Sequence, residues 1–285
     1  MLEKIIGAKS GERKPWELFF IGLLYAGLSF FLVRWIFGAD AVLSKYSGVL
    51  MVTFTVMFSL PFVYSVLRFE EYKDTKIQSS FRLLSEHKRA IMAFMWLFLG
   101  FVVAYALLYI IFSSAGTFSA QVETFCLINR PTDHIACAEQ YGIKSKPKTT
   151  ASVTGTERLF LIITNNLYVL IFTLIFSLIF GAGAIFILAW NASVIAAAIG
   201  IFTKMELSAL PLGLARYMIH GLPEIAAYFV AALAGGIISV AVVNHDTQSE
   251  RFWNIIKDSL NLLGVAMIIL IIAGIIEVYV TPVLF

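Results

Sequence analysis

Five polar side chains interrupt or border long apolar runs in the second half of the chain: Asn165, Asn166, Asn191, His220 and Glu224. Ionisable groups at membrane depth are costly and tend to be functional, so these residues are where chemistry is first sought. His220 and Glu224 bracket a Gly221–Leu222–Pro223 break. Pro223 suits a first helical position, where its missing N–H costs nothing, and that puts Glu224 in the first turn, facing the positive end of the helix dipole. Two readings stay open. In one, Glu224 caps its own helix or pairs with Arg216, and His220 bonds a carbonyl. In the other, the five residues line a polar intramembrane site for an ion, a proton or a lipid headgroup.

Catalysis ranks below both, because no serine, cysteine or second carboxylate is evidently paired with His220 and no nucleotide-binding or hydrolase motif occurs. Neither a cofactor nor a metal is expected. Asn244–His245–Asp246 are three consecutive residues on one turn, which rarely converge on one ion without further ligands. Glu277, near the end of the last span, either faces the Glu224 pocket or snorkels to the interface, and the second reading is preferred. Glu224, Ala227, Ala231 and Gly235 are spaced to share one helix face, a small-residue stripe for close helix packing, with Gly181 and Gly183 as a matching surface. Asn191–Ala192–Ser193 matches a glycosylation sequon, but its place at a membrane boundary makes the match fortuitous.

What must position these residues is set by composition. Of 285 residues, 60% are hydrophobic and 14% charged, and mean hydropathy is +0.87. Soluble domains carry about a quarter charged residues, so a soluble enzyme is excluded, as are a disordered chain and a disulfide miniprotein. The expected fold is all-α: a polytopic membrane bundle of about six spans. They cover about Trp16–Phe37, Tyr46–Leu67, Ala90–Phe112, Asn165–Trp190, Pro223–Val243 and Leu263–Val280. Pro61 kinks the second, and Pro282 ends the last. The apolar run Leu159–Phe202 has 44 residues, about 66 Å as one helix and too long for a hydrocarbon layer of about 30 Å. Residues 191–222 are therefore expected as short re-entrant or broken helices, which survive at membrane depth only when buried in protein or lining a wet cavity. Arg251–Leu260 reads as an interfacial helix anchored by Trp253.

Charge and cysteine placement give direction. The leader and the connector 68–89 hold ten Lys and Arg, against five in Lys45 and the loop Ser113–Glu157. The positive-inside rule then sets the N-terminus in the cytoplasm of a multi-pass cell-membrane protein. Ile77, Phe81 and Leu84 stripe that connector, most simply as a helix resting on headgroups. The net charge of +3 lies in these clusters and implies no nucleic acid. Both cysteines, Cys126 and Cys137, fall in the outer loop, which points to a disulfide. The chain divides into residues 1–112 with three spans, the partly ordered loop 113–157, and 159–285, within one membrane domain whose partners are the bilayer and other protein chains or copies of itself.

The second half resembles a known family. The Asn165–Asn166 start, Asn191 after a long apolar stretch, and the segment His220-Gly221-Leu222-Pro223-Glu224 followed by Ala227 are similar to the stage II sporulation protein M family. Its members show N-N, N-G and H-G-x-x-E-x-x-A. Ala192 stands where the family commonly has glycine. The likeness runs from about Leu159 to Val280, about 40% of the chain. In spore formers it implies a multi-pass scaffold in a membrane complex that recruits peptidoglycan-remodelling enzymes. The family also occurs in bacteria and archaea that never sporulate. What carries over is the architecture and the polar motif.

Overall fold

The structure is a computed structural model and describes residues 14–74, 83–112, 116–129, 134–141, 155–180, 184–204, 206–244 and 249–284. Its helices are α1 Glu17–Phe37, α2 Ser47–Asp74, α3 Leu83–Phe112, α4 Ser119–Asn129, α5 His134–Gln140, α6 Gly155–Phe180, α7 Ala184–Phe202, α8 Leu210–Asn244, α9 Glu250–Ile275 and α10 Thr281–Leu284. Short 3₁₀ turns lead into α2 and α8, and a π-helical segment, Ile276–Val280, joins α9 to α10. The all-α polytopic bundle expected from composition is the fold that forms, with no strand among the described residues.

Helix α1 shows how the sequence makes it. Phe20, Leu24, Leu28, Phe31 and Trp35, three or four residues apart, are exposed, while Gly22, Ala26, Ser29 and Val33 on the opposite stripe are buried. Lipid is as apolar as leucine, so nothing drives large side chains inward, and small residues at the seam let helices approach. Gly22 of α1 and Gly100 of α3 meet in this way. A Cβ on Gly22 would strike Leu97 O, and one on Gly100 would strike Phe19 O. Inside, polar side chains bond to backbone or to each other: Thr55 Oγ1 lies 2.6 Å from Tyr105 Oη, and Ser29 donates to Tyr25 O.

Helix α7 sits centrally, touching α2, α3, α4, α6 and α8. Ala189, Ala192, Ser193, Ala196, Ala197 and Gly200 are buried along it. The two halves of the chain share one core, with Phe94 of α3 stacked on Phe229 of α8 at 5.4 Å between centroids.

Three span expectations are corrected. Among the described residues seven helices, instead of six, are long and apolar enough to cross a membrane. The single span Asn165–Trp190 is replaced by two candidate spans, Leu159–Ile179 and Ile185–Phe202. Within the 44-residue run α6 ends at Phe180 and α7 starts at Ala184, and Asn191 lies inside α7. That amide does not break α7 because it bonds backward to Ile187 O at 2.8 Å, within its own helix. The short re-entrant pieces of 191–222 are not formed. Residues 191–202 complete α7, and the expected break at Gly221–Pro223 lies inside α8, which runs unbroken for 35 residues. A proline removes one hydrogen bond without ending a membrane helix when packing re-satisfies the freed carbonyl. Likewise the stretch before the last span is no separate interfacial helix: α9 starts at Glu250, capped by Ser249, whose Oγ accepts from Phe252 N at 3.2 Å. Pro282 lies within α10, so the helical path continues past it.

The first part of the Ser113–Glu157 loop is helical. Phe118, Val122, Cys126 and Cys137 are buried, and Gln121 Nε2 donates to Gly48 O at 3.0 Å, tying α4 to the start of α2. Cys126 and Cys137 stand at disulfide distance, their Cα atoms 5.8 Å apart, and so join α4 to α5. The basic stretch 142–154, Ile77 and Phe81 of the connector, and the leader up to Arg13 lie outside the described residues.

Candidate functional site

The polar residues of α6, α8 and the C-terminal segment converge. Asn166, buried on α6, donates from Nδ2 to Glu224 Oε1 of α8 at 2.5 Å. Asn165, exposed beside it, donates to Asn166 Oδ1 at 3.3 Å and forms the outer member of the chain of bonds. Glu224 also meets Glu277 in a side-chain hydrogen bond.

One turn before Glu224, His220 Nδ1 lies 3.1 Å from Thr281 Oγ1. The Thr281 hydroxyl also lies within bonding distance of Ile276 O, to which it donates at 3.2 Å. Ile276 opens the π-helical turn Ile276–Val280 and Thr281 directly follows it. A widened turn of this kind re-aims side chains and recurs at functional sites. Arg216, the expected alternative partner of Glu224, holds its guanidinium 4.8 Å from the centre of the Phe202 ring.

Of the five residues singled out, Asn166, His220 and Glu224 are brought into one polar seam, with Asn165 at its edge. Asn191 is not, because its amide serves the backbone of α7. Sequence reasoning weighed Glu277 for the Glu224 pocket but preferred the interface, and it passed over Thr281. The available signal was that a second carboxylate stands in the last apolar helix, which a short connection folds back against α8.

The small-residue stripe is used inside the chain. Ala227 and Ala231 are fully buried, and a Cβ on Gly235 would stand 2.9 Å from Ser177 Cβ and 3.0 Å from Leu174 O, both of α6. Ser177 Oγ donates to Ala232 O at 2.6 Å at the same crossing. The partner surface is thus Leu174–Ser177; Gly181 and Gly183 lie outside the described residues, as do His245 and Asp246.

Comparison with known proteins places this geometry. The chain is 35% identical over 126 residues to an uncharacterized protein of Methanocaldococcus jannaschii, a match covering 42% of this chain and 69% of that protein. No solved structure matches the chain. The family model for stage II sporulation protein M matches residues 27–282, so the likeness read from the second half extends through the first three spans and the cysteine loop. With the match spanning nearly its whole length, the chain belongs to the stage II sporulation protein M family.

Proposed function

We propose that the chain is a non-enzymatic, multi-pass scaffold of a cell-membrane complex linked to envelope remodelling, with its N-terminus cytoplasmic. The observation that carries this reading is that the polar motif bonds to itself. Asn166, Glu224 and Glu277 hold α6, α8 and the π-helical segment after α9 together, while His220 of α8 meets Thr281 at the start of α10 one turn away. Such a brace stiffens one end of the bundle and supports a surface for protein partners. The broad exposed faces of α1, α6 and α9 meet lipid or those partners. A disulfide between Cys126 and Cys137 keeps the α4–α5 cap in one shape in an oxidising space.

A second reading, transport through a polar intramembrane site, is favoured by one observation: two carboxyl groups and a histidine gathered within the apolar spans. One experiment separates the two. Purified full chain in proteoliposomes is assayed for proton, sodium and potassium flux, and cells carrying a photo-crosslinker at exposed Phe172 are probed for protein adducts. The scaffold reading expects adducts to defined membrane or envelope proteins, with flux no greater than in empty vesicles. Flux that disappears in Glu224→Gln would replace it with transport.

A further inference from the structure

At the end of the bundle that carries the cysteine pair, an open cleft of about 750 Å³ lies between the C-terminus of α1, the 3₁₀ turn before α2, and the start of α4. Its lining includes Arg34, Lys45, Ser44, Ser47, Thr117 and Ser119. Two cations and four hydroxyls face one space, and among the described residues neither Arg34 nor Lys45 is ion-paired. The nearest carboxylate in sequence is already engaged: Asp40 Oδ1 accepts from the backbone N–H groups of Val42 and Leu43, both at 2.8 Å. These bonds, Leu43's first, hold the Asp40 carboxyl below its ordinary range, so it stays charged but is turned to its own turn. The N-terminus of α4 opens at Ser119, adding backbone N–H donors and the positive end of a dipole.

We propose that this cleft binds a phosphate-bearing anion, with Arg34 and Lys45 supplying charge and Ser44, Thr117 and Ser119 supplying hydroxyl donors. Guanidinium and ammonium groups with neighbouring hydroxyls match the several acceptor oxygens of a phosphate. The depth favours a lipid headgroup as its source. Trp35, next to Arg34, is 83% exposed on the last turn of α1, which is where aromatic side chains mark the headgroup level.

Native mass spectrometry of the full chain would measure retention of phosphatidylglycerol against phosphatidylcholine, with inorganic phosphate as competitor. The expected result is preferential retention of phosphatidylglycerol, falling about tenfold in an Arg34→Gln/Lys45→Gln variant, as the loss of charge-assisted bonds would give. Displacement by millimolar inorganic phosphate, abolished in the same variant, would keep the anion site and assign it to a soluble phosphate. Lys14→Gln, at the opposite end of α1, should change nothing; an equal loss there would reduce the effect to general surface charge and overturn the proposal. Equal retention of both lipids with no effect of phosphate would also overturn it, as would wild-type behaviour of the double variant. Should that variant not fold, Ser44→Leu fills the cleft while keeping both cations, and unchanged retention in it would be equally fatal.

Discussion

At the scale of single residues, the arrangement separates side chains that look alike in the sequence. Asn166 and Asn191 are both amides in apolar helices, yet one reaches another helix and the other its own backbone. Removing Glu224 leaves a buried amide without its acceptor, which costs about 1–3 kcal/mol. Glu224→Ala and Asn166→Ala should therefore each destabilise the purified protein by that amount in a reversible denaturant titration in detergent. The double variant should lose less than the sum, because each single change already breaks the shared bond. Glu224→Gln should recover part of the loss, while Asn191→Ala should move stability by less than about 0.5 kcal/mol, since only a local bond is exchanged for better helix propensity. The motif His220–Glu224 was legible because charged or polar groups in apolar runs stand out. Glu277 was not, because snorkelling and pairing look the same until the helix hairpin is seen.

Between residues and the whole lie the helices and their crossings. Most spans could be read from length and apolar runs, since membrane thickness fixes how long a helix must be. What could not be read was where a long apolar run divides, because glycine, asparagine and proline all break helices in water but are tolerated in lipid when packing satisfies the freed backbone groups. Pro223 inside α8 and Asn191 inside α7 are both cases of this. The crossing of α1 and α3 was equally hidden, since Gly22 and Gly100 lie far apart in the sequence and nothing in their spacing pairs them. Geometry makes the pairing testable. Gly22→Leu and Gly100→Leu would drive a side chain into a backbone carbonyl and should destabilise by about 1–3 kcal/mol or more, whereas Gly27→Leu, on the same α1, meets nothing within 4 Å and should be tolerated. Thermal unfolding followed by circular dichroism in detergent would read the contrast.

For the molecule as a whole, an odd number of crossings changes what the charge pattern means. If all seven candidate spans among the described residues cross, the chain ends lie on opposite faces of the membrane, where six crossings would put them together. With the N-terminus cytoplasmic, as the ten basic residues of the leader and connector propose, the C-terminus lies outside. Alkaline phosphatase fused after Phe285 should then be active, and an impermeant maleimide should label Cys126 and Cys137 of intact cells only after reduction. An inactive fusion together with outside cysteines would restore an even number of crossings. The cysteine pairing itself was foreseeable from compartment logic, because both thiols share one loop. The helical cap that α4 and α5 form was not, because a polar loop gives no hint that Phe118 and Val122 will be buried.

The central place of α7 also has a consequence in time. Ribosomes add about 5–20 residues per second, so the 42 residues from Phe202 to Asn244 take roughly 2–8 s to appear. During that interval α7 has its earlier neighbours α2, α3, α4 and α6, but the flank destined for α8 faces lipid. The side chains on that flank that meet α8 include Ile195 at Gly221, Ile199 and Thr203 at Gly213, and Phe202 at Tyr217, so closing it late orders rotamers as well as helices. That flank of α7 is thus a surface that the chain leaves open during synthesis and closes when its last hairpin enters the membrane.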